Sequence, residues 1–176
     1  IYECAAIARF FEKKYPEVVA ALNLDHGGTY EQGVQAIHAG FSSIMVDRST
    51  LPFEENVAQV RELVKIAHAV GVSVESELGH VGQGDAYAET RDSGLTHLDE
   101  AQAFVEQTHT DCLAVAVGTS HGVYKGTPRL EFDLLSELAR ELPLPLVLHG
   151  GSGTGDDNLV KAIACGIQNI NLNTDL

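Results

Sequence analysis

A chain of 176 residues and 18.8 kDa, 44% hydrophobic and 20% charged, is long enough to bury a core and too apolar to be disordered. Twenty-five acids against eleven lysines and arginines leave a formal charge of −14. That balance repels nucleic acid and anionic membrane surfaces, and no local basic patch offsets it. No apolar run approaches the ~20 residues that cross a bilayer, and no leader pattern opens the chain, so the cytoplasm is the expected compartment. Cys4, Cys112 and Cys165 are odd in number and lack metal-ligand spacing, which predicts reduced, buried, structural thiols.

The chain opens on an amphipathic helix pattern with Ile1, Ala5, Ala8 and Phe11 on one face, stopped by Pro16. Val18 to Leu24 is a β-rich run that reaches Asp25 and His26. Thr29 with Gln32 predicts a capping box, opening a helix through His38 that Gly40 closes. A strand at Ser43 to Val46 delivers Asp47, a helix follows over 53–69, and an alternating strand from Val72 to Leu78 delivers Glu77. The stretch 79–97 is polar, glycine-rich and without period, which predicts a functional or mobile loop, and within it Gly82 to Thr96 is predicted to be a lid. A helix from Leu98 to Thr108, a strand over 112–117, a helix over 132–141, and a strand entered through Pro143 and Pro145 that ends at His149 come next. Asp156 to Ala164 is a helix stopped by Gly166, and Ile167 to Leu172 is the last strand. The chain thus starts inside a helix and stops straight after a strand, so both ends look cut.

Six strands alternating with helices predict right-handed βαβ units and parallel pairing. An open doubly wound sheet and a (β/α)8 barrel both satisfy that pattern. An open sheet puts its ligand at one switch point, whereas a barrel gathers residues from many strand ends. Here Asp25, His26, Asp47, Glu77, His121, His149 and Asn171 all follow strands, which favours an incomplete (β/α)8 TIM barrel as a single domain over 1–176. About six βα units are present, with the first two strands and the C-terminal helices missing.

Three strands run into a His-Gly step at His26, at His121 and at His149. A single histidine at a strand end is ordinarily a satisfied polar side chain. If those strands are parallel neighbours, the same pattern three times is the ligand set of a catalytic zinc with its fourth position open. His38, His68 and His109 fall on helices or loops, as surface or packing residues. His80 and His97 flank the polar loop, where a bland reading is favoured over a functional one.

The motifs Leu24-Asp25-His26-Gly27, Met45-Val46-Asp47, Glu75-Ser76-Glu77-Leu78-Gly79, Val117 to Gly122, Leu148 to Gly153 and Asn171 to Thr174 occur in order at strand ends. In this the chain resembles the class II, zinc-dependent ketose-bisphosphate aldolases, which act on fructose or tagatose bisphosphate. The resemblance implies that His26, His121 and His149 hold zinc. Asp47 and Glu77 would then hold a second divalent or a monovalent cation; their bland alternative is acids hydrogen-bonded to loops at the barrel mouth. It makes Asp25 the acid/base at the C4 hydroxyl, although by itself Asp25 could equally orient an imidazole. It makes Gly122, Gly150, Gly151, Ser152, Asn171, Asn173 and Thr174 contacts to the sugar phosphate, where glycine turns and a helix N-terminus suit an anion. It also implies a homo-oligomer, dimer or tetramer.

The chain departs from the pattern at Val81-Gly82-Gln83-Gly84-Asp85, where relatives carry a Gly-Gly-x-Glu-Asp run. Asp85, with Glu89 behind it, is the nearest candidate for the proton transfer on the triose phosphate. Asn173 stands where fructose-type members have Asp and tagatose-type members Ala, which leaves the epimer open. A lysine Schiff base is the other aldol route, but Lys13, Lys14, Lys65, Lys125 and Lys161 all fall in helices or loops. Two alternatives remain on the residues alone. A zinc hydrolase on a TIM barrel lacks the His-x-His pair common on such barrels, and a non-catalytic binding domain leaves Asp25 without a purpose.

Overall fold

The computed structural model describes residues 1–125 and 127–176. The chain is an α/β protein in which six strands alternate with helices, and it divides into two compact units. The first comprises residues 1–76 with 108–110, and the second comprises residues 77–107 with 111–176.

In the first unit, α1 (Tyr2–Lys14), β1 (Asn23–Gly27), α2 (Tyr30–Ala39), β2 (Ser43–Val46) and α3 (Phe53–His68) precede β3 (Ser73–Leu78), whose last two residues belong to the second unit. β1 pairs parallel with β2, Leu24 opposite Ile44, and β2 pairs parallel with β3, Ile44 opposite Val74. Ile44 and Met45 are fully buried; Val57, Val60, Leu63, Val64 and Ala67 form the buried stripe of α3 at helical spacing. Thr29 caps α2 by accepting from Gln32 N at 3.2 Å, while Gln32 reaches back to the N–H of Gly28 at 2.7 Å. That is the predicted capping box displaced by one residue on its return bond. Gly40 closes the helix in the left-handed conformation, φ 96°.

β1 starts five residues later than predicted and ends three later. Val19 is wholly exposed, and the ladder begins only where the Leu22 carbonyl accepts from Ser42 and Ser43. β-branched residues favour a strand only when a neighbouring strand takes their backbone groups. After Leu24 the register shifts across Asp25 and His26, and Gly27 stands opposite Val46.

In the second unit, a single 3-10 turn (Gly84–Ala86), α4 (Tyr87–Thr90), α5 (Leu98–Thr108), β4 (Cys112–Val115), α6 (Phe132–Glu141), β5 (Leu146–Leu148), α7 (Asp156–Ala164) and β6 (Ile167–Ile170) follow the end of β3. Leu113 pairs parallel with Leu146, and Leu148 with Ile170. Phe104, Leu113, Leu135, Leu138, Leu146 and Leu148 have no solvent exposure and make the core. The stretch 79–97 differs from the expected loop without regular structure. It contains the 3-10 turn and α4, with Tyr87, Arg91 and Thr96 buried. Both segments are too short to leave a helical period in the sequence.

The cysteines are free, as expected, but not buried: Cys4 is exposed on α1, and Cys112 and Cys165 are half-buried. Cys4 lies off the one buried position of α1, Ala5. Among the described residues, no helix is long and apolar enough to cross a membrane.

Candidate metal centre and active site

Within each unit, several of the predicted site residues lie close to one another. In the first unit β1 delivers Asp25 and His26, and the turn after β2 delivers Asp47. His26 Nδ1 lies 3.1 Å from Asp47 Oδ2, and its Nε2 lies 3.8 Å from Asp25 Oδ1. His26 takes φ +48°, a left-handed conformation uncommon outside glycine and typical of residues held for function. Burial works against the Asp47 charge, but the hydrogen bonds from His26 and from the backbone and hydroxyl of Ser49 outweigh it. They hold this carboxyl well below the ordinary carboxylate range. An ionised Asp47 bonded to Nδ1 orients the imidazole ring. Asp25 is exposed; the buried Glu75 has a carboxylate oxygen within 4.8 Å of one of its own and takes a long bond from Asn23 Nδ2, 3.4 Å.

In the second unit Glu77, near the end of β3, and His149, just past β5, have fully buried side chains. Glu77 Oε2 stands 3.5 Å from His149 Nδ1. The His121 and His149 rings meet edge to face with centroids 5.6 Å apart. Glu77, His121 and His149 each present one ligand atom, all within 4.8 Å of one another. The other Glu77 oxygen accepts from Val81 N at 2.9 Å and lies 3.6 Å from His80 Nδ1. Two imidazoles and a carboxylate converging, with Glu77 and His149 fully buried, are a donor set that fits zinc or a similar borderline cation. His80, given the bland reading in the sequence, is thus at the edge of this cluster.

The glycine turn follows His149. Gly150 has φ +68°, and a Cβ there would lie 2.3 Å from the Ser120 carbonyl, so only glycine lets the His149 turn approach the His121 loop this closely. Gly151 N donates to Asn171 O at 3.1 Å, and Ser152 Oγ accepts from the N–H groups of Asn173 and Asp175, 3.0 and 3.3 Å. Gly153 N donates to Asp175 Oδ2 at 2.8 Å, so a carboxylate of the chain occupies one N–H of the turn. Asn171 Oδ1 accepts from Asn169 Nδ2 at 3.0 Å, and Thr174 and Gly122 are exposed. Asp85 sits exposed on the 3-10 turn and Glu89 exposed on α4.

Three residues were not selected from the sequence. Tyr124 accepts from Ser120 N at 2.7 Å, donates to Gly150 O at 3.0 Å and lies 3.2 Å from Thr154 Oγ1. It ties the His121 and His149 turns together, and burial raises its pKa. Tyr87 and Arg91 grip the same loop from α4 and the residue after it. The only sequence signal for them is their position: an aromatic three residues after His121, and a lone arginine in an acidic loop.

A sequence model of the family described as "Fructose-bisphosphate aldolase class-II" matches residues 2–176. A probable fructose-bisphosphate aldolase of Bacillus subtilis is 46% identical over 175 residues, 97% of this chain and 60% of that protein. A fructose-bisphosphate aldolase of Staphylococcus aureus is 46% identical over 162 residues, 90% of this chain and 55% of that one. The crystal structure of the YdjI aldolase from Escherichia coli superimposes with a TM-score of 0.84 at 34% identity, covering 99% of this chain and 60% of that chain. This is an α/β chain with histidines and carboxylates that could hold a metal ion at its strand ends. More narrowly, this chain belongs to the class II fructose-bisphosphate aldolase family. It spans about 60% of the length of the Bacillus relative.

Proposed function

We propose that the protein to which this chain belongs is a zinc-dependent aldolase. It reversibly splits a ketohexose 1,6-bisphosphate, fructose or tagatose, into dihydroxyacetone phosphate and glyceraldehyde 3-phosphate. The observation that carries the reading is the convergence of Glu77, His121 and His149 within 4.8 Å, in a chain whose family is that of the class II aldolases. His26, His121 and His149 are the proposed zinc ligands, with Asp47 and Glu77 serving a second cation. The βα units are taken to be part of a closed (β/α)8 barrel in the whole protein, and the assembly to be a homo-oligomer.

Zinc, when bound, polarises the ketose carbonyl and stabilises the negative charge left as the C3–C4 bond breaks. The chain supplies the rest. Asp25, exposed beside His26, takes the proton of the C4 hydroxyl in cleavage and returns it in condensation. Asp47 keeps the His26 ring oriented through its bond to Nδ1. Asp85 exchanges the proton on the triose phosphate carbon. Gly122 and the turns 150–152 and 171–174 bind phosphate through backbone N–H groups, Ser152 and Thr174 adding hydroxyls and Asn171 and Asn173 amides. The phosphate displaces the Asp175 carboxylate from Gly153 N.

The test is metal content together with cleavage of fructose and tagatose bisphosphates by the full-length protein, detected through coupled triose-phosphate reduction. Stoichiometric zinc with triose phosphate release from either epimer is the expected result. Phosphate or ester hydrolysis without aldol cleavage would reject it in favour of a zinc hydrolase.

A further inference from the structure

We infer that Arg91 is a positioning residue for His121, acting through a brace that fixes the loop after β4 at both ends and at His121 itself. The inference rests on the reading of His121 as a zinc ligand. Its geometry lies wholly within the second unit.

At one end of the brace, the start of the stretch predicted as a lid grips His121 by its backbone. His121 N donates to Gly82 O and Gly84 N donates to His121 O, both at 2.8 Å, and Lys125 N donates to Gly84 O at 3.1 Å. At the other end, Tyr87 accepts from Arg129 N at 2.7 Å and donates to Gly118 O at 2.9 Å, so one hydroxyl closes the base of the loop. Arg91 completes it. Its Nε and Nη2 both donate to the Arg129 carbonyl, at 2.8 and 2.6 Å, while Nη2 also meets Glu131 and Nη1 meets Asp92. Glu131 N in turn donates to Val117 O at 2.8 Å, which returns the loop to the end of β4.

Gly118 supplies an independent sign that the guanidinium belongs there. With φ +99°, a Cβ at this position would lie 2.4 Å from the Arg129 carbonyl and 3.0 Å from Arg91 Nη2. The backbone is left bare where Arg91 crosses it. Burial opposes the Arg91 charge, but the bonds to Glu131 and Asp92 outweigh it and raise its pKa, so the cation is always present. Through these bonds the segment 82–91 is tied to the His121 loop.

The experiment uses the full-length zinc protein, with Arg91→Met and Arg91→Lys. Zinc affinity is read by chelator competition and backbone exchange by deuterium uptake. Both variants are expected to bind zinc ~10–100-fold more weakly, the usual effect of losing a partner that orients a ligand. Lysine does not rescue, because an ammonium cannot fork two bonds onto one carbonyl and a third onto Glu131. Exchange is expected to rise at Gly84 and His121 and to stay unchanged in β4. Should Arg91→Met fail to fold, Tyr87→Phe is read in the same way. Parental zinc affinity in the folded variant, or a rise in exchange spread evenly through β4, overturns the inference. Neither readout uses a sugar phosphate, so a parent that binds zinc but cleaves no bisphosphate refutes the proposed function and leaves the brace standing.

Discussion

Glu77 Oε2 and His149 Nδ1 stand 3.5 Å apart, and neither side chain has any exposure to solvent. A carboxylate and an imidazole buried together must satisfy each other or share a cation, since an unpaired charge is costly in a low dielectric. His149 directly follows β5, and its ring lies edge-on to His121.

Removal of His149 is the direct test of the ligand set. His149→Ala should abolish zinc retention and aldol cleavage together. Emptying a fully buried position also costs stability, ~2–5 kcal/mol for a large-to-small change. His121→Ala, at a half-exposed position, should lose the metal with less loss of stability. Stoichiometric zinc by elemental analysis in either variant contradicts the assignment.

Asp25 should behave in the opposite way. It is exposed beside His26, so Asp25→Ala should keep zinc and the melting temperature while turnover falls by ~10²–10⁴, the usual contribution of a general acid or base. Zinc loss in this variant would show instead that Asp25 serves to hold the metal site.

Tyr124→Phe deletes one hydroxyl that bonds Ser120 N and Gly150 O. The buried Ser120 N–H is left without its acceptor, which costs ~1–3 kcal/mol. Thermal denaturation should register ~2–4 °C per kcal/mol for a chain of this size.

The same tyrosine gives a pH signature. Burial raises its folded-state pKa above the ordinary 10.0, so the protonated form prefers the folded protein. This contribution is fully present below pH 10.0 and is lost as pH rises through the raised value. The parent should therefore lose stability more steeply above that pH than Tyr124→Phe. Parallel alkaline denaturation curves would exclude the linkage.

Gly150→Ala tests the packing of the two histidine turns. The left-handed backbone alone costs an alanine ~1–2 kcal/mol, and its Cβ would stand 2.3 Å from the Ser120 carbonyl. The expected result is a stability loss beyond the backbone term together with weakened zinc binding, read by denaturant unfolding and chelator competition.

What the sequence determined by itself is local. Strand-helix alternation, the Thr29 cap and the histidines at strand ends follow from side-chain period and capping chemistry within a few residues. The family motifs are equally local, which is why Asp25, His26, Asp47, Glu77, His121 and His149 could be singled out before any coordinates. The tertiary structure decided whatever depends on a distant partner. Val18 and Val19 look like strand, yet among the described residues no strand pairs with them, whereas Gly27 joins the ladder opposite Val46 of β2. The stretch 79–97 reads as featureless, yet Tyr87 and Arg91 are buried by carbonyls near 118 and 129. Hydrogen bonds between residues some forty positions apart leave no period in a sequence; only folding, which brings those groups within 3 Å, makes them visible.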